Sequence, residues 1–191
     1  LVGSEMCIRD RVVTAWPPLG MLYCAEVLMN EGIEVSILDQ AARGFSSKQT
    51  LDWVKKENPD ILGLSVLSSA AQEAPRIAEE VKAENPNITI VFGNYHATFN
   101  AERILSKYPF VDVIVRGEGE YTSLELAKCL EKGGALEEVK GIAFRKNGRV
   151  VLTPDRPLIK DIDSLPFPDR DLVSASYSST IYGVRVASKK F

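Results

Sequence analysis

The sequence predicts an α/β protein built on a doubly wound, five-stranded parallel sheet, extended by a C-terminal β-hairpin and an extended linker. Three observations carry that expectation. Strand-like runs alternate with helical patterns five times between residues 12 and 134. Two of those runs, "DILGLSVL" and "NITIVFG", are apolar nearly throughout, as strands buried on both faces are. The joints between elements are short, and a strand–helix–strand rhythm with short joints builds parallel sheets covered on both sides.

Taken in order, "VVTA" is a short strand that runs into "WPPLG", where two prolines and a glycine force a loop. "MLYCAEVLMNEG" then sets Leu22, Ala25, Val27, Leu28 and Met29 at helical spacing and closes at Gly32. "EVSILD" alternates as a strand, and "SSKQTLDWVKKENP" reads as a helix capped by Ser46 or Ser47 that stops before Pro59. After "DILGLSVL" comes the helix "SAAQEAPRIAEEVKAENP", with Pro75 in its first turn. "NITIVFG" precedes the short helix "NAERILSKYP", and "VDVIVRGEG" precedes "EYTSLELAKCLEKGG", a helix ending at Gly133. Beyond Gly134, "VKGIAFRKNGRVVLT" places two strand-like runs around Asn147-Gly148, a strong hairpin signal. "PDRPLIKDIDSLPFPDRDLV" has four prolines and no period, so it reads as linker, and the last stretch has strand character without an evident partner.

Composition narrows the function classes. The 191-residue chain carries a net charge of −3 and no Lys/Arg cluster interleaved with aromatics, which argues against a nucleic-acid surface. No apolar run is long enough to span a bilayer. Cys7, Cys24 and Cys129 are far apart and form no CxxC pair, as expected of thiols in a reducing cytoplasm. Three such cysteines do not suit an iron–sulfur cluster held by this chain alone. No metal site and no catalytic residue is expected within it. The opening "LVGSEMCIRDR" has neither a helical nor a strand period and resembles adapter read-through, so residues 1–11 are set aside as a leader foreign to the fold.

In an open parallel sheet, ligands sit outside the carboxyl ends of the strands where strand order reverses. The loops expected there are "WPPLG", "SVLSSA", "GNYHAT" and "GEGE". They hold no G-x-G-x-x-G dinucleotide fingerprint, no Walker lysine, no acidic pair for a phospho-receiver and no G-x-S-x-G elbow.

Across roughly residues 12–170, this loop set resembles the cobalamin-binding domain that precedes the radical-SAM domain in B12-dependent radical enzymes, a flavodoxin-like B12-binding fold. That fold carries D-x-H-x-x-G after its first strand, S-x-L after its third and G-G after its fourth. Here S-x-L stands as Ser65-Val66-Leu67, and the G-G place reads Gly93-Asn94; Asn tolerates left-handed backbone better than other side-chain-bearing residues. Aligning the glycine of the first signature with Gly20 puts its Asp place at Ala15 and its cobalt-binding His place at Pro17. Neither can ligate or orient a ligand, a departure shared with the radical-SAM branch, where cobalamin is held with its nucleotide base displaced and no histidine on the cobalt. "VDVIVRGEGE" also matches that branch, from Val111 to Glu120.

The resemblance implies a cofactor-binding set of Pro18, Leu19, Gly20, Ser65, Leu67, Ser68, Ser69, Gly93, Asn94, Tyr95, His96, Ala97, Thr98, Gly117, Glu118 and Gly119. Several have structural readings beside the functional one. A serine of 65, 68 or 69 suits an N-cap for the helix that follows, and Glu120 suits the positive end of its own helix. Trp16 and Tyr95 suit either a corrin edge or the core rim. His96, the only histidine, follows the fourth strand and not the first, so it is expected to line the cofactor's edge or the loop backbone instead of binding cobalt.

The expected organisation is a leader (1–11), a cobalamin-binding α/β domain (12–134), a hairpin extension (135–155) and a linker (156–191) toward a radical-SAM domain outside this sequence. That further domain would carry the [4Fe–4S] cluster and S-adenosylmethionine, in a methyltransferase or a cyclase. Partners are then cobalamin and the radical-SAM domain of the same chain, with no nucleic acid and no membrane span, in the cytoplasm. Two rivals are a domain of this fold that has lost cobalamin and gates or docks, favoured by Asn94 in a glycine's place, and a flavodoxin-like binder of a flavin, nucleotide or sugar.

Overall fold

The computed structural model describes residues 17–173, and beyond them the backbone of strands at 2–3, 178–181 and 184–187. Five strands run parallel: β1 (Val2–Gly3), β2 (Leu38–Asp39), β3 (Ile61–Ser65), β4 (Thr89–Gly93) and β5 (Val113–Val115), in the order β2-β1-β3-β4-β5. The antiparallel strands β6 (Ile142–Lys146) and β7 (Arg149–Leu152) continue the same sheet beyond β5. The expected hairpin is therefore an extension of the sheet. Its turn, Asn147 at φ 51° and Gly148 at φ 75°, has the two left-handed residues that match the twist of paired strands.

The expected first strand, residues 12–15, lies outside the described residues. The sheet position between β2 and β3 is taken by Val2–Gly3, within the segment that the sequence argument set aside.

Among the described residues six helices surround the sheet: α1 (Leu19–Met29), α2 (Ser47–Glu57), α3 (Glu73–Glu84), α4 (Asn94–Phe99), α5 (Ala101–Lys107) and α6 (Glu120–Glu131). Side chains alternate across a strand, so each strand serves two cores. Leu62, Leu64, Ile90, Phe92 and Ile114 pack with α2, α3, α4 and α5 on one face. Val91, Val113 and Val115 turn the other way, against Leu126 of α6, and α1 packs beside α6. Among the described residues no helix is long and apolar enough to cross a membrane.

Local signals behave as their chemistry dictates. Ser46 caps α2 in a reciprocal box with Gln49, and Pro75 sits in the first turn of α3. The serine caps expected for α3 are not made. Ser68 and Ser69 wind into a 3₁₀ turn over 68–70, and α3 starts behind Gln72, which makes no side-chain cap. "NYHATF", expected as loop, closes into the helix α4.

The linker, extended as expected, is strapped to the domain. Arg156 donates from Nε to the Thr122 hydroxyl at 2.8 Å and pairs with Glu125 of α6. The Asp169 N–H donates to Glu26 of α1 at 3.3 Å, and Val173 is buried among Met21, Leu22, Ala25 and Ile37. Farther on, β8 (Ser178–Ile181) and β9 (Val184–Ala187) pair with each other as a separate antiparallel hairpin.

Candidate functional site

The carboxyl ends of β3, β4 and β5 lie side by side because the strands run parallel and in register. Leu64 pairs with Phe92, Ser65 pairs with Gly93, and the Val66 N–H donates to the Gly93 carbonyl at 2.9 Å. This brings "SVL" and "GN" into contact across the chain. Asn94 takes the left-handed conformation at φ 77°, and its amide nitrogen donates to Ser65 Oγ at 3.0 Å. Its carbonyl oxygen accepts the Tyr95 N–H at 2.6 Å. Asparagine therefore performs the turn expected of glycine, with its side chain tied down on both sides.

The next loop joins through Thr98, whose hydroxyl accepts the Gly117 N–H at 3.2 Å. Gly117 turns at φ 71°. Gly119 has a different reason: a Cβ there would stand 3.2 Å from Cys24 Sγ, so its hydrogen lets α6 begin against α1. Burial, with the Glu120 carboxylate adding to it, pushes the Cys24 thiol up to about 12. One carboxylate oxygen of Glu120, the first residue of α6, is buried there without a hydrogen-bond partner.

The remaining expected residues divide. Pro18 is the N-cap of α1, and Leu19 and Gly20 form its exposed first turn, with open space where a Gly20 Cβ would stand. Leu67, Ser68 and Ser69 are exposed beyond β3. Tyr95 is 73% exposed and Phe99, which the sequence reading passed over, is 81% exposed. Glu118 is engaged elsewhere, since its carboxylate accepts the Ile159 N–H of the strap at 2.6 Å. Ala97 is fully buried in the core beneath the edge, on the opposite side of α4 from Tyr95. His96 is half-buried and lines a cleft between α3 and α5. Trp16 lies outside the described residues.

The loops and first turns at this edge thus expose the apolar side chains of Leu19, Leu67, Tyr95 and Phe99 and the hydroxyls of Ser68 and Ser69, which together offer an apolar floor. That set suits a broad flat group with an apolar face and amide-bearing margins. A corrin fits both features. A phosphate-first ligand does not, because no Arg or Lys is among the residues gathered on this floor.

Comparison with known proteins agrees with the geometry. Residues 6–127 match the family described as B12 binding domain. The chain is 37% identical over 173 residues to an uncharacterized methyltransferase of Pyrococcus horikoshii, covering 91% of this chain and 38% of that protein. It is 34% identical over 155 residues to the anaerobic magnesium-protoporphyrin IX monomethyl ester cyclase of Rubrivivax gelatinosus, covering 78% of this chain and 28% of that one. Among solved structures, the cobalamin-dependent S-adenosylmethionine radical enzyme OxsB with aqua-cobalamin bound superposes with a TM-score of 0.75 at 25% identity, over 90% of this chain and 24% of that chain. The chain therefore spans less than two fifths of the length of these relatives.

Proposed function

This chain belongs to the B12 binding domain family, and from that premise we propose that it holds cobalamin for a larger radical S-adenosylmethionine protein, a methyltransferase or a cyclase. The observation that carries the reading is the Ser65–Asn94 contact beneath an exposed apolar floor, at the sheet edge where this family's signatures fall. Leu19, Leu67 and Tyr95 would support the corrin's apolar face, while Ser68 and Ser69 would meet its amides. When bound, the cofactor supplies methyl-group carriage and cobalt redox chemistry, and the chain's part is to bind and orient it. The [4Fe–4S] cluster and S-adenosylmethionine belong to a further domain of the parent protein.

Cobalamin would be held with its base displaced and without a histidine on the cobalt. Positions 15 and 17 are Ala15 and Pro17, and the lone His96 follows β4 and lines the α3–α5 cleft. The Asn94 side chain is folded back onto Ser65 and the Tyr95 N–H, which supports cofactor binding over a floor plugged by a larger residue. Titration with hydroxocobalamin, followed by visible absorbance, tests the proposal. A saturable change at micromolar cofactor, with the same bands in His96→Ala, is expected. No change at that concentration would refute cobalamin binding, and altered axial-ligand bands in the variant would refute the absence of a histidine ligand.

A further inference from the structure

The cleft that His96 lines opens between α3 and α5, on the sheet face covered by α2, α3, α4 and α5. It holds about 200 Å³, below the size of a drug-like ligand site. Its base is apolar, formed by Val66, Phe92 and Ile104, and its rim carries Gln72, His96, Arg103 and Lys107. Arg103 and Lys107 are four residues apart on α5, so they stand on one helix face.

The charges at this rim are one-sided. Among the described residues no Asp or Glu lines the cleft, although the chain carries 26 acidic residues against 23 basic ones. Glu73, on the adjoining turn of α3, is turned to Ser47 of α2 and to Arg76 at 3.7 Å. Elsewhere Lys55, Lys82, Lys128, Lys146, Arg116 and Arg156 each hold a carboxylate. Arg103 has no ion-pair or hydrogen-bond partner among the described residues, and Lys107 has only the Tyr108 ring, 4.8 Å from its ammonium. A guanidinium and an ammonium on the rim of one small cavity that no carboxylate lines supply the positive charge and the N–H donors that oxyanions take.

We propose that the α3–α5 cleft binds a small phosphate-type dianion, separately from the cobalamin floor, through Arg103 and Lys107 with His96 and Gln72 as further hydrogen-bond partners. The lone histidine makes the test direct, because its imidazole C2–H proton resonance reports on this cleft and nothing else. Inorganic phosphate is titrated into the chain at neutral pH and constant ionic strength, with sodium sulfate as a second dianion and sodium chloride as the control. A saturable His96 shift with millimolar phosphate and sulfate, absent with chloride, is expected.

Arg103→Gln/Lys107→Gln should weaken the site about tenfold or more, and Arg103→Lys should weaken it less. Both side chains are exposed, so the double variant should keep the wild-type unfolding midpoint and the wild-type cobalamin titration. The proposal is overturned if phosphate moves His96 no differently from chloride, or if the double variant binds phosphate like wild type. It is also overturned if cobalamin competes with phosphate for the His96 signal.

Discussion

Asn94 is the residue where backbone strain and loop contact coincide, and two substitutions separate them. Alanine and glycine both remove the bond to Ser65 Oγ and the bond accepted from the Tyr95 N–H, each with a net contribution of about 0.5–1.5 kcal/mol. Alanine keeps the Cβ that asparagine already holds in the left-handed region at φ 77°, whereas glycine relieves that strain of about 1–2 kcal/mol. Glycine avoids that strain but gains about 0.4–1 kcal/mol of unfolded-chain entropy, which offsets part of its advantage. Asn94→Ala should therefore lower the unfolding free energy by about 2 kcal/mol, and Asn94→Gly by about 1 kcal/mol. With a typical urea slope, the two midpoints should differ by about 0.5 M. Urea unfolding followed by far-ultraviolet circular dichroism measures this, and a parallel cobalamin titration should show Asn94→Gly binding at least as well as wild type. Equal midpoints, or glycine falling below alanine, would refute the argument that the left-handed turn dictates the residue.

Two further outcomes follow from contacts away from the floor. Burial, then the Glu120 carboxylate, raises the Cys24 thiol from 9.0 to about 12, which favours the neutral form in the folded state. The stability this contributes is full below about pH 9 and is lost as pH rises toward 12, with a slope of about 1.4 kcal/mol per pH unit. Alkaline unfolding curves of wild type and Cys24→Ala should diverge in that window, and parallel curves would show that the thiol stays neutral for no structural reason. Arg145 donates to the carbonyls of Leu105 at 2.7 Å and Pro109 at 2.6 Å, and also to that of Val111, closing the end of α5 onto the hairpin. Arg145→Ala should cost about 2–4 kcal/mol of stability by thermal unfolding, and a loss under 1 kcal/mol, roughly the worth of one neutral hydrogen bond, would contradict that role.

Features governed by local chemistry were legible in the sequence. Asn147-Gly148 specifies its own turn, Ser46 and Gln49 their own cap, and the apolar runs of β3 and β4 their burial on both faces. The sequence alone could not show where α3 begins, because capping depends on backbone angles that the 3₁₀ turn at 68–70 absorbs. Nor could it place Ala97 in the core and Tyr95 in solvent, since that depends on "NYHATF" closing into a helix. The linker reads as unpatterned because its contacts are single and distant: Arg156 to α6, Ile159 to Glu118, Asp169 to Glu26.

By itself, then, the sequence determined the layered α/β class, the order of the elements and the loops that gather at one sheet edge, because periodicity and turn chemistry act within a few residues. Tertiary structure alone decided which of those loops touch. Ser65 meets Asn94 across 29 residues, Thr98 meets Gly117 across 19, and Glu118 meets Ile159 across 41. Parallel register sets the ends of β3, β4 and β5 side by side, whatever their separation along the chain. The same register sends His96 to the α3–α5 cleft, a placement that no pattern of neighbouring residues encodes.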